Sequence, residues 1–91
     1  MSSFVLVPGA GGMAWYWHRM VPLIRAVGHE AIPVDLRSDD GRAGLTVSAD
    51  IVIRAIAKRT DIVLVAQSLA GFTAPLVCAR APVRMLVLVN A

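Results

Sequence analysis

Four short and largely apolar runs constrain the fold of this chain more than any other feature of its sequence. Each run has the length of a β-strand, and the runs cover residues 4–7, 31–36, 62–66 and 85–89. Strands that are apolar on both faces are typical of parallel sheets, because helices cover both sides of such sheets. The runs therefore predict an α/β fold rather than an antiparallel sheet with one wet face.

Segments with helical spacing separate these runs and predict helices over residues 19–27, 47–58 and 69–80. Gly28 is well suited to end the first helix. Strands that alternate with helices form right-handed crossover units. We therefore expect a partial doubly wound parallel sheet of four strands and three helices, within one partial domain over residues 1–91.

Composition excludes several classes of protein. Apolar residues make up 57% of the chain and charged residues only 16%, which excludes a disordered chain. The net charge is +3, but the basic residues are scattered, so we predict no nucleic-acid partner. Cys78, the one cysteine, excludes an internal disulfide, and its apolar neighbours predict a buried thiol.

The N-terminal segment and the uncharged stretch 62–79 bear on location. The N-terminus lacks the basic residues and the long apolar run of a signal peptide. The stretch 62–79 has nearly the length of a membrane helix, but Gln67, Ser68, Gly71 and Pro75 interrupt it. We therefore predict no membrane span and a cytoplasmic protein.

The loop after the first strand is rich in glycine and has two interpretations. Residues 9–14 fit the dinucleotide-binding pattern G-x-G-x-x-A, and Asp35 closes the next strand. A helix that starts near Gly12 would carry Pro22 deep in its interior, at a cost of roughly 3 kcal/mol. A helix that starts near Arg19 tolerates Pro22 in its first turn. We therefore expect a long loop before the helix, and a nucleotide-binding domain that uses the loop from Gly9 to Gly12 is the alternative.

The loop after the third strand contains a serine at a strand-to-helix turn. Ser68 lies at the centre of a sequence similar to the nucleophile elbow G-x-S-x-G, with Ala66 and Ala70 at the glycine positions. The second interpretation of Ser68 is an N-cap of the helix that follows. If Ser68 is a nucleophile, an oxyanion hole needs one N–H group after it and one from the first loop, and Leu69 and Ala10 are the candidates.

In the order and spacing of its strands, its glycine loop and its serine turn, the chain resembles the N-terminal half of the α/β-hydrolase family. It is most similar to the esterase and hydroxynitrile-lyase-like branch of that family. The similar segments are FVLVPGA at 4–10, the tryptophans at 15 and 17, AVGH at 26–29, PVDL at 33–36, VAQSLAG at 65–71 and LVLV at 86–89. The resemblance implies that Ser68 is the nucleophile and that the N–H groups of Ala10 and Leu69 form the oxyanion hole. It implies a small-molecule ester or acyl substrate, an acyl-serine intermediate and neither a metal nor an organic cofactor. The candidate pocket residues are Gly9, Gly11, Trp15, His18 and Gln67.

The acid and the base of the family's triad are expected after the nucleophile, in the order Ser, acid, His. From Leu69 to Ala91 there is no Asp, Glu or His. His29 is expected to be structural, at the sheet edge opposite Ser68, and His18 is expected near the mouth of the site. We therefore expect the acid- and His-bearing half to be absent and the 91 residues alone to be nearly inactive.

The fourth strand is expected to form an uncovered apolar edge, which favours self-association or a partner. A third function class therefore stays open beside the hydrolase and the nucleotide-binding domain. It is a non-catalytic remnant, or a subunit that a partner completes.

Overall fold

A computed structural model describes residues 1–9, 13–36, 45–68 and 70–89 of the chain. Strands and helices alternate along it, with a short 3₁₀ helix (Ala14–Trp17) between the first strand and the first α-helix. The elements are β1 (Ser3–Val7), α1 (Met20–Ala26), β2 (Glu30–Pro33), α2 (Leu45–Ile56), β3 (Ile62–Gln67), α3 (Ala70–Cys78) and β4 (Val83–Val89).

The four strands form one parallel sheet in the order β2-β1-β3-β4. The chain moves from β1 to β2 in one direction and then crosses back to β3 and β4, so the strand order reverses between β1 and β3. Val7 at the end of β1 pairs with Ala66 near the end of β3. This is the predicted doubly wound sheet, and its switch point lies where ligands bind in open α/β sheets.

Side chains that alternate along the central strands fill two cores, one on each face of the sheet. On one face, Val5 and Leu64 pack with side chains from α2 and α3. On the other face, Leu6 and Val65 pack with Trp17 and with Val21 of α1. Both faces of β1 and β3 are therefore buried, which is why these strands are continuously apolar over residues 4–7 and 62–66 rather than at every second position.

The element boundaries differ from the sequence predictions by a few residues. α1 begins at Met20, so Pro22 is its third residue, where the missing N–H group would have no partner within the helix. β2 ends at Pro33 rather than at residue 36, and α2 begins at Leu45, two residues before the predicted start.

The prediction that Cys78 is a buried thiol is wrong, because its side chain is exposed. α3 buries a stripe at helical spacing, formed by Ala70, Thr73, Ala74 and Val77. Cys78 follows Ala74 by four residues and so falls on the same side of α3, but it is the last residue of the helix and its side chain stays exposed.

Polar pairs join the strands at the amino edge of the sheet. The carboxylate of Glu30 accepts hydrogen bonds from Nε of Arg59 at 2.6 Å and from the Ser3 hydroxyl at 2.7 Å. The N–H group of Ser2, which precedes β1, donates to Nδ1 of His29 at 3.0 Å. His29 therefore lies at the edge opposite Ser68, as the sequence predicted.

β4 is an outer strand of the described sheet, and its apolar side chains are largely uncovered. Met85 is 50% exposed and Leu88 is 54% exposed. Because these two side chains point to opposite faces of the sheet, both faces of β4 are uncovered. None of the helices among the described residues has the length and apolarity that a membrane crossing requires.

Candidate active site

Ser68 occupies a sharp turn between β3 and α3. Its φ angle is +55°, in the left-handed region, where a residue with a Cβ atom is strained by roughly 1–2 kcal/mol. Two backbone hydrogen bonds hold the turn: the N–H of Ser68 donates to the Val89 carbonyl at 2.9 Å, and the N–H of Gly71 donates to the Ser68 carbonyl at 3.0 Å. Strain of this kind is concentrated at functional sites.

The backbone of Ser68 also bears on its second interpretation as a helix cap. An N-cap residue has an extended backbone and directly precedes the first helical residue. α3 begins at Ala70, so Ser68 does not directly precede the helix, and its positive φ is not extended. The geometry therefore favours an elbow over a cap.

Ala57 has a similar φ of +54°, but a different setting. It directly follows α2, where a left-handed residue commonly ends a helix. Ser68 instead joins the end of a strand to the start of a helix, so helix termination does not account for its strained backbone.

The end of β1 packs directly against this turn. If Gly9 had a Cβ atom, that atom would lie 2.8 Å from the carbonyl oxygen of Gln67 and 2.9 Å from Cβ of Ser68, and it would also meet Oε1 of Gln67. These separations are shorter than van der Waals contact, so residue 9 must lack a side chain for the two loops to approach. The structure thus brings together three of the candidate site residues, Gly9, Gln67 and Ser68.

Two further candidates, Trp15 and His18, form a pair of their own. Their rings stack with centroids 4.1 Å apart, and Nδ1 of His18 lies 2.8 Å from the Trp15 carbonyl oxygen. A carbonyl oxygen only accepts, so Nδ1 carries the proton in this bond. Trp15 is 67% exposed, whereas the neighbouring Trp17 is buried in the core beneath α1. The hydrogen bond and the ring contact of His18 are thus both with Trp15 rather than with the serine turn.

Three candidates, Ala10, Gly11 and Leu69, lie outside the described residues. The proposed oxyanion donors and one pocket residue therefore stay predictions. Within the described part of the chain, no three His, Cys, Asp or Glu side chains cluster closely enough to hold a metal ion.

The position of α1 bears on the nucleotide-binding alternative. A dinucleotide fingerprint needs a helix that begins inside the glycine loop, so that its N-terminus faces the pyrophosphate. α1 begins only at Met20, after the intervening 3₁₀ helix, which agrees with the predicted long connection. This geometry does not favour a nucleotide site at the loop from Gly9 to Gly12.

Comparison with known proteins finds relatives that share one fold family. The model of the alpha/beta hydrolase family matches residues 4–91. The chain is 34% identical over 89 residues to the probable esterase PIR7A of Oryza sativa subsp. japonica, which covers 87% of this chain and 34% of that protein. It is 31% identical over 80 residues to norfluorocurarine synthase 1 of Strychnos sp, which covers 77% of this chain and 30% of that protein.

The fold matches solved structures as well. A crystal structure of a polyneuridine aldehyde esterase mutant superimposes with a TM-score of 0.82 at 25% identity, over 96% of this chain and 39% of that chain. The 91 residues thus span about a third of the length of the curated relatives they match. The match of the family model over nearly all of these residues, together with the shared sheet topology, shows that the chain belongs to the alpha/beta hydrolase family.

Proposed function

We propose that this chain carries the nucleophile of a serine hydrolase that cleaves a carboxylic ester or a similar small acyl compound. The observation that carries the proposal is the strained backbone of Ser68, with a φ of +55°, at the carboxyl end of β3. An elbow of this kind lifts the hydroxyl above the sheet edge, where a substrate can reach it. The names of the relatives, an esterase among them, support an ester or acyl substrate.

In the proposed reaction, Oγ of Ser68 attacks the carbonyl carbon of the substrate, and its proton passes to a general base. The tetrahedral intermediate collapses to an acyl-serine as the base returns the proton to the leaving alcohol. Water then attacks the acyl-serine by the same route, releasing the acid and restoring the serine.

The negative oxygen of the intermediate needs N–H donors, and the backbone bonding limits which groups can serve. The N–H of Ser68 itself already donates to the Val89 carbonyl. The N–H groups of Ala10 and Leu69, which flank the Gly9–Ser68 contact along the chain, are therefore the proposed donors. Removal of one such donor typically lowers kcat by about 10²–10³-fold.

The proposed base and acid come from outside residues 1–91. Residues 70–91 contain no Asp, Glu or His. His29 lies at the opposite edge of the sheet, and the Nδ1–H group of His18 is hydrogen-bonded to the Trp15 carbonyl oxygen. In this proposal residues 1–91 form a partial domain, and the remaining catalytic groups come from further chain or from a partner. Loss of the base alone lowers turnover roughly a million-fold in a well-studied protease, so the 91 residues alone should be nearly inactive.

The test is covalent labelling of the complete gene product with a fluorophosphonate probe, followed by mass spectrometry of the labelled peptide. We expect the label on Ser68 and its loss in S68A. S48A is the matched control, because Ser48 lies on α2, far along the chain from the serine turn. Absence of labelling, or labelling that persists in S68A, would overturn the proposal.

A further inference from the structure

We infer that Gln67 is a positioning residue of this site, which acts through Gly9. Oε1 of its side-chain carboxamide lies in the space that a Cβ atom on residue 9 would occupy. The inference rests on the proposed function, since it concerns the loop that carries a proposed oxyanion donor. We call this contact between Gly9 and the end of β3 the loop–elbow contact.

The atoms of Gln67 and Ser68 nearest to the loop–elbow contact differ in their freedom to move. The Gln67 carbonyl oxygen lies 2.8 Å, and the Ser68 Cβ 2.9 Å, from the position of a Cβ on Gly9. The first is a backbone atom and the second is bonded directly to the backbone, which is fixed by pairing with β4: Gln67 lies opposite Val89, and the N–H of Ser68 donates to the Val89 carbonyl. Oε1 of Gln67 is the end of a flexible side chain, so it is the one adjustable part of the contact.

The direction of the Gln67 side chain follows from the period of the strand. Val63 and Val65 of β3 point into the core beneath α1, and Gln67 is the next residue of this series. Val65 is buried in that core, whereas Gln67 lies at the carboxyl end of the strand and is only half-buried. Its carboxamide is thereby placed beside the loop that leaves β1 rather than among the apolar side chains below.

A shift of Gly9 is passed on to the site through the next peptide bond. The proposed donor, the N–H of Ala10, is bonded directly to the carbonyl carbon of Gly9. Oxyanion donors act at 2.7–3.1 Å from the developing charge, and a misplacement of about 1 Å lowers the rate by as much as ~100-fold. The side chain of Gln67 therefore sets kcat through the position of Gly9, without itself touching the substrate.

The test is a double-mutant cycle in the complete gene product, with hydrolysis of p-nitrophenyl acetate as the assay. We expect G9A to lower kcat by about 10–100-fold while KM changes little, because the donor shifts but the binding pocket remains. Q67A should lower kcat by a smaller factor. In the double variant G9A/Q67A the loss should be at least ~3-fold smaller than the product of the two single losses, because the contact between the added methyl group and Oε1 of Gln67 is relieved.

Two further variants separate positioning from general destabilisation. Q67M keeps the length of the side chain without the amide and should recover most of the kcat that Q67A loses. G28A is the matched control for G9A, because Gly28 has a φ of +89° and no atom lies within 4 Å of the position that a methyl group there would occupy. It should lower stability and leave kcat within about 2-fold of wild type, since adding a methyl there strains only a distant turn.

Multiplicative single effects, a change in KM alone, or an equal loss of kcat in G28A would overturn the positioning role. Fluorophosphonate labelling of the same proteins distinguishes this failure from failure of the proposed function. A wild-type protein that labels at Ser68 but shows no coupling between residues 9 and 67 refutes only the positioning role. A wild-type protein that neither labels at Ser68 nor hydrolyses the ester refutes both.

Discussion

Gly9 and Ser68 approach so closely that a Cβ atom on Gly9 would lie 2.9 Å from the Cβ atom of Ser68. The two residues are far apart in the sequence but follow adjacent parallel strands, whose ends pair through Val7 and Ala66. The parallel sheet therefore places a glycine loop and a strained serine turn at one edge. The positive φ angles of Ser68 at this edge and of Ala57 at the end of α2 lead to the first two predictions.

Replacement of Ser68 by glycine or by alanine should remove the nucleophile in both cases but leave proteins of different stability. Glycine adopts a φ of +55° without a Cβ clash, whereas alanine is strained there. The free energy of unfolding of S68G should therefore exceed that of S68A by about 0.5–1 kcal/mol, after the greater freedom of glycine in the unfolded chain is subtracted. Neither variant has a nucleophile, and neither should label with fluorophosphonate. Urea denaturation of both proteins measures the difference, and equal stability would show that the turn is not strained.

A57G is the companion to that comparison. Ala57 has a φ of +54° at the end of α2, so glycine should also stabilise the protein there, by about 0.5–1 kcal/mol. Because Ala57 is placed at a helix end and not at the serine turn, labelling of Ser68 should proceed as in wild type. A loss of labelling in A57G would show that the two turns are coupled.

Replacement of Gly28 by alanine should lower the stability of the protein. Its φ is +89°, and a methyl group there would meet open space, so G28A introduces backbone strain without a steric contact. We expect the free energy of unfolding to fall by about 0.5–1 kcal/mol, after the smaller freedom of alanine in the unfolded chain is taken into account. Thermal and urea denaturation provide the measurement, and an unchanged stability would show that the turn between α1 and β2 adapts to a side chain.

Stability should fall in acid partly through Glu30. Hydrogen bonds from Arg59, and then from Ser3, lower the pKa of Glu30 from 4.5 to about 2. A carboxyl group whose pKa is lower in the folded state stabilises the fold above its unfolded pKa, and this contribution is lost as pH falls towards the folded pKa. The free energy of unfolding of wild type should therefore decrease between about pH 5 and about pH 2.

E30Q tests that assignment, because glutamine keeps the shape of the side chain but does not titrate. Its free energy of unfolding should change less steeply with pH over the same interval. Some slope should remain, since the pKa of Asp61 is also lowered, by hydrogen bonds from Arg84 and Ser2. A slope as steep as that of wild type would show that the pair of Glu30 and Arg59 does not contribute.

The exposed edge at β4 should make residues 1–91 self-associate. An outer strand with apolar side chains on both faces offers unpaired backbone groups to another chain. Size-exclusion chromatography across a range of concentrations should show species larger than a monomer. A lysine on an edge strand opposes such pairing, so L88K should shift the chain towards the monomer.

L23K is the matched control for that experiment. Leu23 is 69% exposed, compared with 54% for Leu88, but it lies on α1 rather than on the outer strand. If association occurs through β4, L23K should associate as wild type does. An equal effect of the two lysines would point to general apolar association instead of strand pairing.

The sequence by itself determined the α/β class, the number and order of strands and helices, and the position of the serine turn. Continuous apolar runs fixed the buried strands, and Pro22 placed the start of the first helix near Arg19, one residue from its start in the structure. These features depend on neighbouring residues, because helical and strand periods and the constraints of proline act over a few positions.

Only the tertiary structure decided which of these segments meet. The pairing of β1 with β3 placed Gly9 against Gln67 and Ser68. The tertiary structure also left Cys78 exposed, which its apolar neighbours did not indicate. Contacts of this kind depend on the pairing of strands that are distant in the chain, and the local pattern of residues does not encode the separation between two loops.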